Sequence, residues 1–296
     1  MTPQKQVLAY SYYPGCSLHA SAKEYDESTR GLFRALHIGL QEVPDWFCCG
    51  ATPAHNVDEL LSLSLCAKNL ELANGVPGDL AVACAACFSR LKTTQHKLAT
   101  DPEKRRQVEF AIDAPVPEGT QVKHLLEILA QDFGLERLQA AVKKPLSGLK
   151  VACYYGCLLT RPPDVPQLDC VEAPTIMERV IGATGAQTVA WSHRLECCGA
   201  NFTLSRPGVV LKLSGDILAS ARDAGADCVV VACPLCHGNL DIRQQGIEEA
   251  SGEHFGLPIF YMTQLLALAV GVKVGRLGLD SMIVDPRPLL KSKNFL

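Results

Sequence analysis

The chain has 296 residues, of which 48% are hydrophobic and 20% charged, and its formal net charge is −3. That balance is typical of a core-forming globular protein. It leaves room for one large domain or two of about 150 residues, and it excludes a nucleic-acid-binding surface. The 14 cysteines stand outside this ordinary picture. The N-terminal MTPQKQVLAY lacks the apolar core and cleavage site of a secretory signal, so a soluble, cytoplasmic protein is expected. Thiols stay reduced in the cytoplasm, where many regularly spaced cysteines point to metal rather than to disulfides.

In chain order, 7-VLAYSYYPGC-16 predicts a strand that delivers Cys16 at its carboxyl end. A helix is expected next. Ser21 and Glu24 have capping-box spacing, and Tyr25, Leu32, Phe33 and Leu36 share a face before Gly39. The vicinal pair Cys48-Cys49 follows, then Gly50, which relaxes the backbone so that both sulfurs can face inward. A helical stretch over 58–75 leads to the apolar strand 80-LAVAC-84, which runs into Cys84-x-x-Cys87. The polar segment 100–119 reads as an excursion, with 102-PEKRR-106 as a solvated face. Charge, Pro and Gly cluster at 142-VKKPLSG-148, dividing the chain into domains 1–144 and 145–296.

The second half repeats the first. The strand 149-LKVACYYGC-157 ends on Cys157, and Thr175 and Glu178 repeat the capping spacing. Cys197-Cys198-Gly199 is the second vicinal pair, 208–225 is helical, and 228-CVVVAC-233 runs into Cys233-x-x-Cys236. From each pair to its C-x-x-C lie 34 residues in both halves, whereas 31 and 39 residues separate the first cysteine from the pair. Such an internal repeat is too regular for chance. The apolar run 257–275 is interrupted by Thr263, Gln264 and Lys273 and falls short of the roughly 20 residues of a spanning helix. It reads as a strand and a core helix, with no membrane span.

Alternation of helices with near-continuously apolar strands predicts an α/β fold with mainly parallel sheets, whose ligands gather beyond the strands' carboxyl ends. The cysteines fall there. A tetrahedral zinc or an ordinary cubane takes four thiolates, yet each half offers five. Either one per half is idle or the centre uses all five.

These spacings, together with YYPGC, YYGCLLTRP, PIFYMTQLLALAVG and VDPRPLL, resemble the B subunits of heterodisulfide reductases, the family with two CCG domains. The resemblance runs from Tyr12 to about Leu290. It implies two pseudo-twofold-related lobes and two noncubane [4Fe-4S] clusters facing a shared cleft. One cluster would be held by Cys16, Cys48, Cys49, Cys84 and Cys87, the other by Cys157, Cys197, Cys198, Cys233 and Cys236. It further implies homolytic cleavage of a disulfide between the clusters, with the coenzyme M–coenzyme B heterodisulfide as the family substrate. CCGATPAHN departs from the CCP form of the methanogen proteins. That departure points toward a bacterial-type member with another substrate, such as sulfane sulfur on a lipoate-binding carrier. The chain has no ferredoxin-type cysteine run, no G-x-G-x-x-G and no Walker lysine. A ferredoxin-like iron–sulfur protein of the C type and a flavoprotein of the A type are therefore expected as partners.

Among the remaining residues, His237, next to Cys236, is the candidate catalytic proton donor, ahead of His193 and His55. Arg161 is suited either to cluster charge or an anionic substrate, or to a surface ion pair. Cys66, Cys153, Cys170 and Cys228 are expected to pack, with Cys153 the nearest to an exception. Two other classes compete with the reductase reading. One is a structural zinc protein. The other is an electron-transfer component of a CCG-type dehydrogenase feeding quinone.

Overall fold

The structure is a computed structural model and describes residues 8–51 and 54–296. Val7, the predicted start of the first strand, and Thr52 and Pro53 lie outside the described residues. Within them, eight strands form two four-stranded sheets with the same order, β2-β1-β3-β4 and β6-β5-β7-β8. In the first, β1 is Ala9–Tyr13, β2 Gly39–Glu42, β3 Leu80–Val82 and β4 Val122–His124. In the second, β5 is Lys150–Tyr154, β6 Gln187–Thr188, β7 Cys228–Val231 and β8 Ile259–Tyr261. Every pairing is parallel. The two-lobed α/β architecture expected from the repeat is therefore present. β3 and β7 are buried along their whole length, which explains why they read as unbroken apolar runs.

The chain leaves β1 toward β2 on one side and returns as β3 on the other, and β5, β6 and β7 do the same. Each sheet thus has its switch point between its two central strands, where open α/β sheets take their ligands. Cys16 and Cys84 follow β1 and β3, and Cys157 and Cys233 follow β5 and β7.

The helices largely match the sequence reading, but their caps do not. The helix Lys23–Ala35 starts after Ala22 with no side-chain cap. The Ala22 N–H bonds back to the Ser17 carbonyl at 2.7 Å, which leaves Ser21 outside the cap position, and Glu24 turns inward and is buried. The helix Ile176–Gly182 also lacks a cap from Thr175. Asp169 does that work from the preceding loop, accepting from the Thr175 and Ile176 N–H groups at 2.6 Å each. Glu178 instead bonds the Tyr155 hydroxyl and Arg194. Reciprocal bonds of the predicted kind form elsewhere. Glu127 accepts from the His124 N–H at 2.8 Å and Gln264 from the Tyr261 N–H at 2.9 Å, at the ends of β4 and β8.

The polar excursion is a helix, Pro102–Ile112, capped by Asp101. Its Val108 joins Leu63, Ala67, Leu98 and Val116 in a small second core. Its basic residues are only partly a solvated face, because Arg105 donates to the Val116 carbonyl and Lys104 pairs with Glu59 at 3.0 Å.

The lobes meet through Lys23–Ala35 and the helix Met262–Ala269, every residue of which is buried. Ser28 and Thr263 join hydroxyls across this boundary at 2.7 Å. Tyr25 stacks on Tyr261 at 4.1 Å between ring centroids, and Tyr261 on His237 at 4.3 Å. One continuous hydrophobic core spans both lobes. No helix among the described residues is long and apolar enough to cross a membrane.

Candidate metal centre

The two cysteine sets have the same internal plan. The vicinal sulfurs diverge. Cys48 is exposed and lies 3.7 Å from the Cys16 sulfur, whereas Cys49 is buried 3.3 Å from Cys87. In the second lobe Cys197 lies 4.0 Å from Cys157, and buried Cys198 lies 3.7 Å from Cys236. Gly50 and Gly199 make this possible, with φ of +70° and +81°, a region an L side chain enters at a cost. The turn points their N–H groups at the Cys48 and Cys197 sulfurs, at 3.4 and 3.3 Å. Ahead of the first cysteines, a Cβ on Gly15 would stand 3.1 Å from the Cys87 sulfur, and one on Gly156 3.2 Å from the Cys236 sulfur. Only glycine lets the strand ends approach the C-x-x-C so closely.

The sets also touch one another. Cys84 and Cys233 are the residues from which the helices Ala85–Thr100 and Pro234–Leu240 start. Their side chains approach each other across the lobe boundary, where the Ala85 N–H bonds the Ala232 carbonyl at 3.0 Å. The Cys236 and Cys84 thiols and the N–H groups of Cys236 and Leu235 hold Cys233 well below the usual thiol range, against its burial. The Cys157 thiol and the Gly199 and Ala200 N–H groups bring Cys197 down to about 6, also against burial. Contacts between thiols push Cys48, Cys84, Cys87, Cys157 and Cys236 up in turn. Thiolates are the metal-binding form of cysteine, and it is the grouping of five sulfur donors in each lobe that suits a thiolate-ligated centre. Among the described residues no three such side chains close on a single ion-sized point. The sulfurs instead pair within each lobe, Cys16 with Cys48 and Cys49 with Cys87 in the first, Cys157 with Cys197 and Cys198 with Cys236 in the second.

A family model described as a cysteine-rich domain, CCG, matches twice, over residues 10–92 and 151–241. The chain belongs to the CCG family. It is 35% identical over 283 residues to the 8-methylmenaquinol:fumarate reductase membrane anchor subunit of Wolinella succinogenes, covering 95% of this chain and 98% of that one. It is 30% identical over 281 residues to the B subunit of the Ferredoxin/F(420)H(2)-dependent CoB-CoM heterodisulfide reductase of Methanosarcina acetivorans, covering 93% of each. The resemblance to the B subunits of heterodisulfide reductases therefore holds across nearly the whole chain. A hypothetical protein from Helicobacter pylori shares the fold with a TM-score of 0.76 at 13% identity, over 96% of this chain and 53% of that chain. Membership of this family implies iron–sulfur clusters, and the chain is a CCG-domain iron–sulfur redox subunit of an oxidoreductase.

Several residues that build the CCG sites carry no signal in the sequence pattern. Tyr13 and Tyr154, at the ends of β1 and β5, are buried beneath the cysteines and bond the carbonyls that precede each vicinal pair. Asn69 bonds both the N–H and the carbonyl of Phe47, at 3.0 and 2.9 Å. The Cys66 thiol donates to the Cys49 carbonyl at 3.4 Å, and the Ser214 hydroxyl does the same for Cys198 at 3.3 Å. The pairing of YYPGC with YYGC is the one clue to the tyrosines that the sequence offers.

His237 is buried, and burial pushes its imidazole down to about 4. Its Nε2 has no hydrogen-bond partner. It lines an interlobe groove of about 840 Å³ with Glu24, Pro234, Leu235 and Tyr261. None of the ten cysteines lines that groove. His55 is exposed, and His193 is half-buried against Ser192. Arg161 pairs with Glu172 at 3.1 Å on the surface. Cys153 and Cys228 are buried in β5 and β7, and Cys170 is exposed.

Proposed function

We propose that residues 1–144 and 145–296 each hold one noncubane [4Fe-4S] cluster, and that the two act together on one S–S bond. The first is held by Cys16, Cys48, Cys49, Cys84 and Cys87, the second by Cys157, Cys197, Cys198, Cys233 and Cys236. The reading rests on two sets of five thiols with the same internal plan, which approach each other at Cys84 and Cys233, with Cys16, Cys48 and Cys197 exposed. A disulfide takes two electrons and each cluster supplies one, so two facing centres suit cleavage or formation of one such bond. The chain's own residues hold and orient. The tyrosines and glycines fix the vicinal pairs, and His237, next to Cys236, is the candidate donor of the protons that thiol products need. Electrons come from a ferredoxin-like iron–sulfur partner and, beyond it, a flavoprotein in the cytoplasm.

The test is anaerobic reconstitution of the full chain. About eight irons per chain are expected, and Cys49→Ala and Cys198→Ala should each abolish disulfide turnover. Full activity in either variant would refute the scheme.

The relationship to the Wolinella succinogenes protein supports a second reading, an electron-transfer component linked to a quinol. The reduced protein is to be offered a panel of disulfides and a persulfidated carrier, and the oxidised protein a menaquinol analogue. Whichever changes the cluster spectrum at a catalytic rate identifies the substrate class.

A further inference from the structure

The halves differ in charge at a position behind the cysteines. Three residues beyond the second cysteine of each C-x-x-C, the first lobe has Arg90 and the second Asn239. Three residues along a helix is one turn, so each sits on the same face as that cysteine. Asn239 donates to the Cys198 carbonyl at 3.1 Å and to its sulfur at 3.4 Å, and it is neutral.

Arg90 is half-buried and donates to the Ser62 hydroxyl on the helix Glu59–Asn74. Ser62 lies one turn before Cys66, the residue that bonds the Cys49 carbonyl. The guanidinium is within electrostatic reach of both Cys49 and Cys66. Its Nε is buried without an acceptor, and among the described residues it forms no ion pair with a carboxylate. An unneutralised cation therefore stands behind the first thiol set where the second has only an amide. Local charge and hydrogen bonds to sulfur set the potential of an iron–sulfur centre, and a fixed positive charge favours the more negative, reduced form.

We propose that Arg90 is a positioning charge that makes the first-lobe centre the more easily reduced of the two, so that the halves are not interchangeable in electron transfer. The inference rests on the reading of two clusters given above. Arg90 is neither oxidised nor deprotonated in this role.

Anaerobic redox titration of the reconstituted full chain, followed by EPR, tests it. Arg90→Gln should lower the reduction equilibrium constant of one centre about tenfold, which is about 59 mV for one electron, and leave the other in place. Arg90→Lys, which keeps the charge, should retain most of the wild-type value. Unchanged potentials in Arg90→Gln, or equal shifts of both centres, would overturn the proposal. If Arg90→Gln fails to take up its iron, the wild-type chain still decides, since equal potentials of its two centres overturn the proposal. Wild-type protein with only one centre would instead sink the two-cluster reading.

Discussion

The hydroxyls of Tyr13 and Tyr154 make the same hydrogen bond in the two lobes, to the Phe47 carbonyl at 2.8 Å and to the Glu196 carbonyl at 2.6 Å. Each carbonyl belongs to the residue just before a vicinal cysteine pair. A rigid ring at the end of a central strand thus sets the height of a loop that arrives from more than 30 residues away.

Removing either hydroxyl leaves a carbonyl short of one donor, at a cost of about 1 kcal/mol. The halves should respond unequally. Phe47 is also held by Asn69 through both its N–H and its carbonyl, which gives its loop a second anchor. Tyr154→Phe should therefore release iron to a chelator faster than Tyr13→Phe. Equal release rates in the two variants would contradict this account of the loops.

The cap at the helix Ile176–Gly182 offers a stability test. Asp169 accepts from both the Thr175 and Ile176 N–H groups, so Asp169→Ala should cost about 1–2 kcal/mol, in the range of a lost N-cap. Thr175→Ala should cost much less, because the hydroxyl reaches only Asp169, at 3.4 Å. Urea unfolding of the two variants side by side decides which residue carries the cap.

The pH dependence of stability should have a component from His124. Burial pushes this imidazole down to about 4, against its bond with the Ala83 carbonyl. In the unfolded chain it titrates near 6.5. Between these values the unfolded state binds a proton that the folded state does not, so stability is present above 6.5 and falls as the pH drops toward 4. About 1 kcal/mol should be lost between pH 7 and 5.5 from this residue alone. His124→Asn, which keeps a capping side chain, should flatten that slope in denaturant titrations. An unchanged slope would assign the acid sensitivity to other groups.

The sheets, the duplication and the gathering of cysteines at strand ends were legible because each depends on short-range pattern or on a repeat. Apolar runs such as 228-CVVVAC-233 can only be buried strands, and cysteine spacings survive duplication. What could not be read lies in contacts between distant residues. Asp169 caps a helix from six residues upstream of Thr175, outside the window in which capping signals are sought. Tyr13 looks like any strand aromatic until its hydroxyl is seen against Phe47. Arg90 gives no signal in its own helix, since its meaning depends on the lack of a carboxylate partner among the described residues and on Asn239 in the other lobe. Glu24 and Glu178 sit at ideal capping positions, and tertiary contacts draw both away.

The single core shared by the lobes has a consequence for how the molecule comes apart. A duplicated chain whose copies kept separate interiors would melt in two stages and tolerate being severed between them. Here the copies have merged into one cooperative unit, so damage that opens one half deprives the other of its wall. Loosening around either cysteine set should then be felt at the other, because the wall behind both is the same.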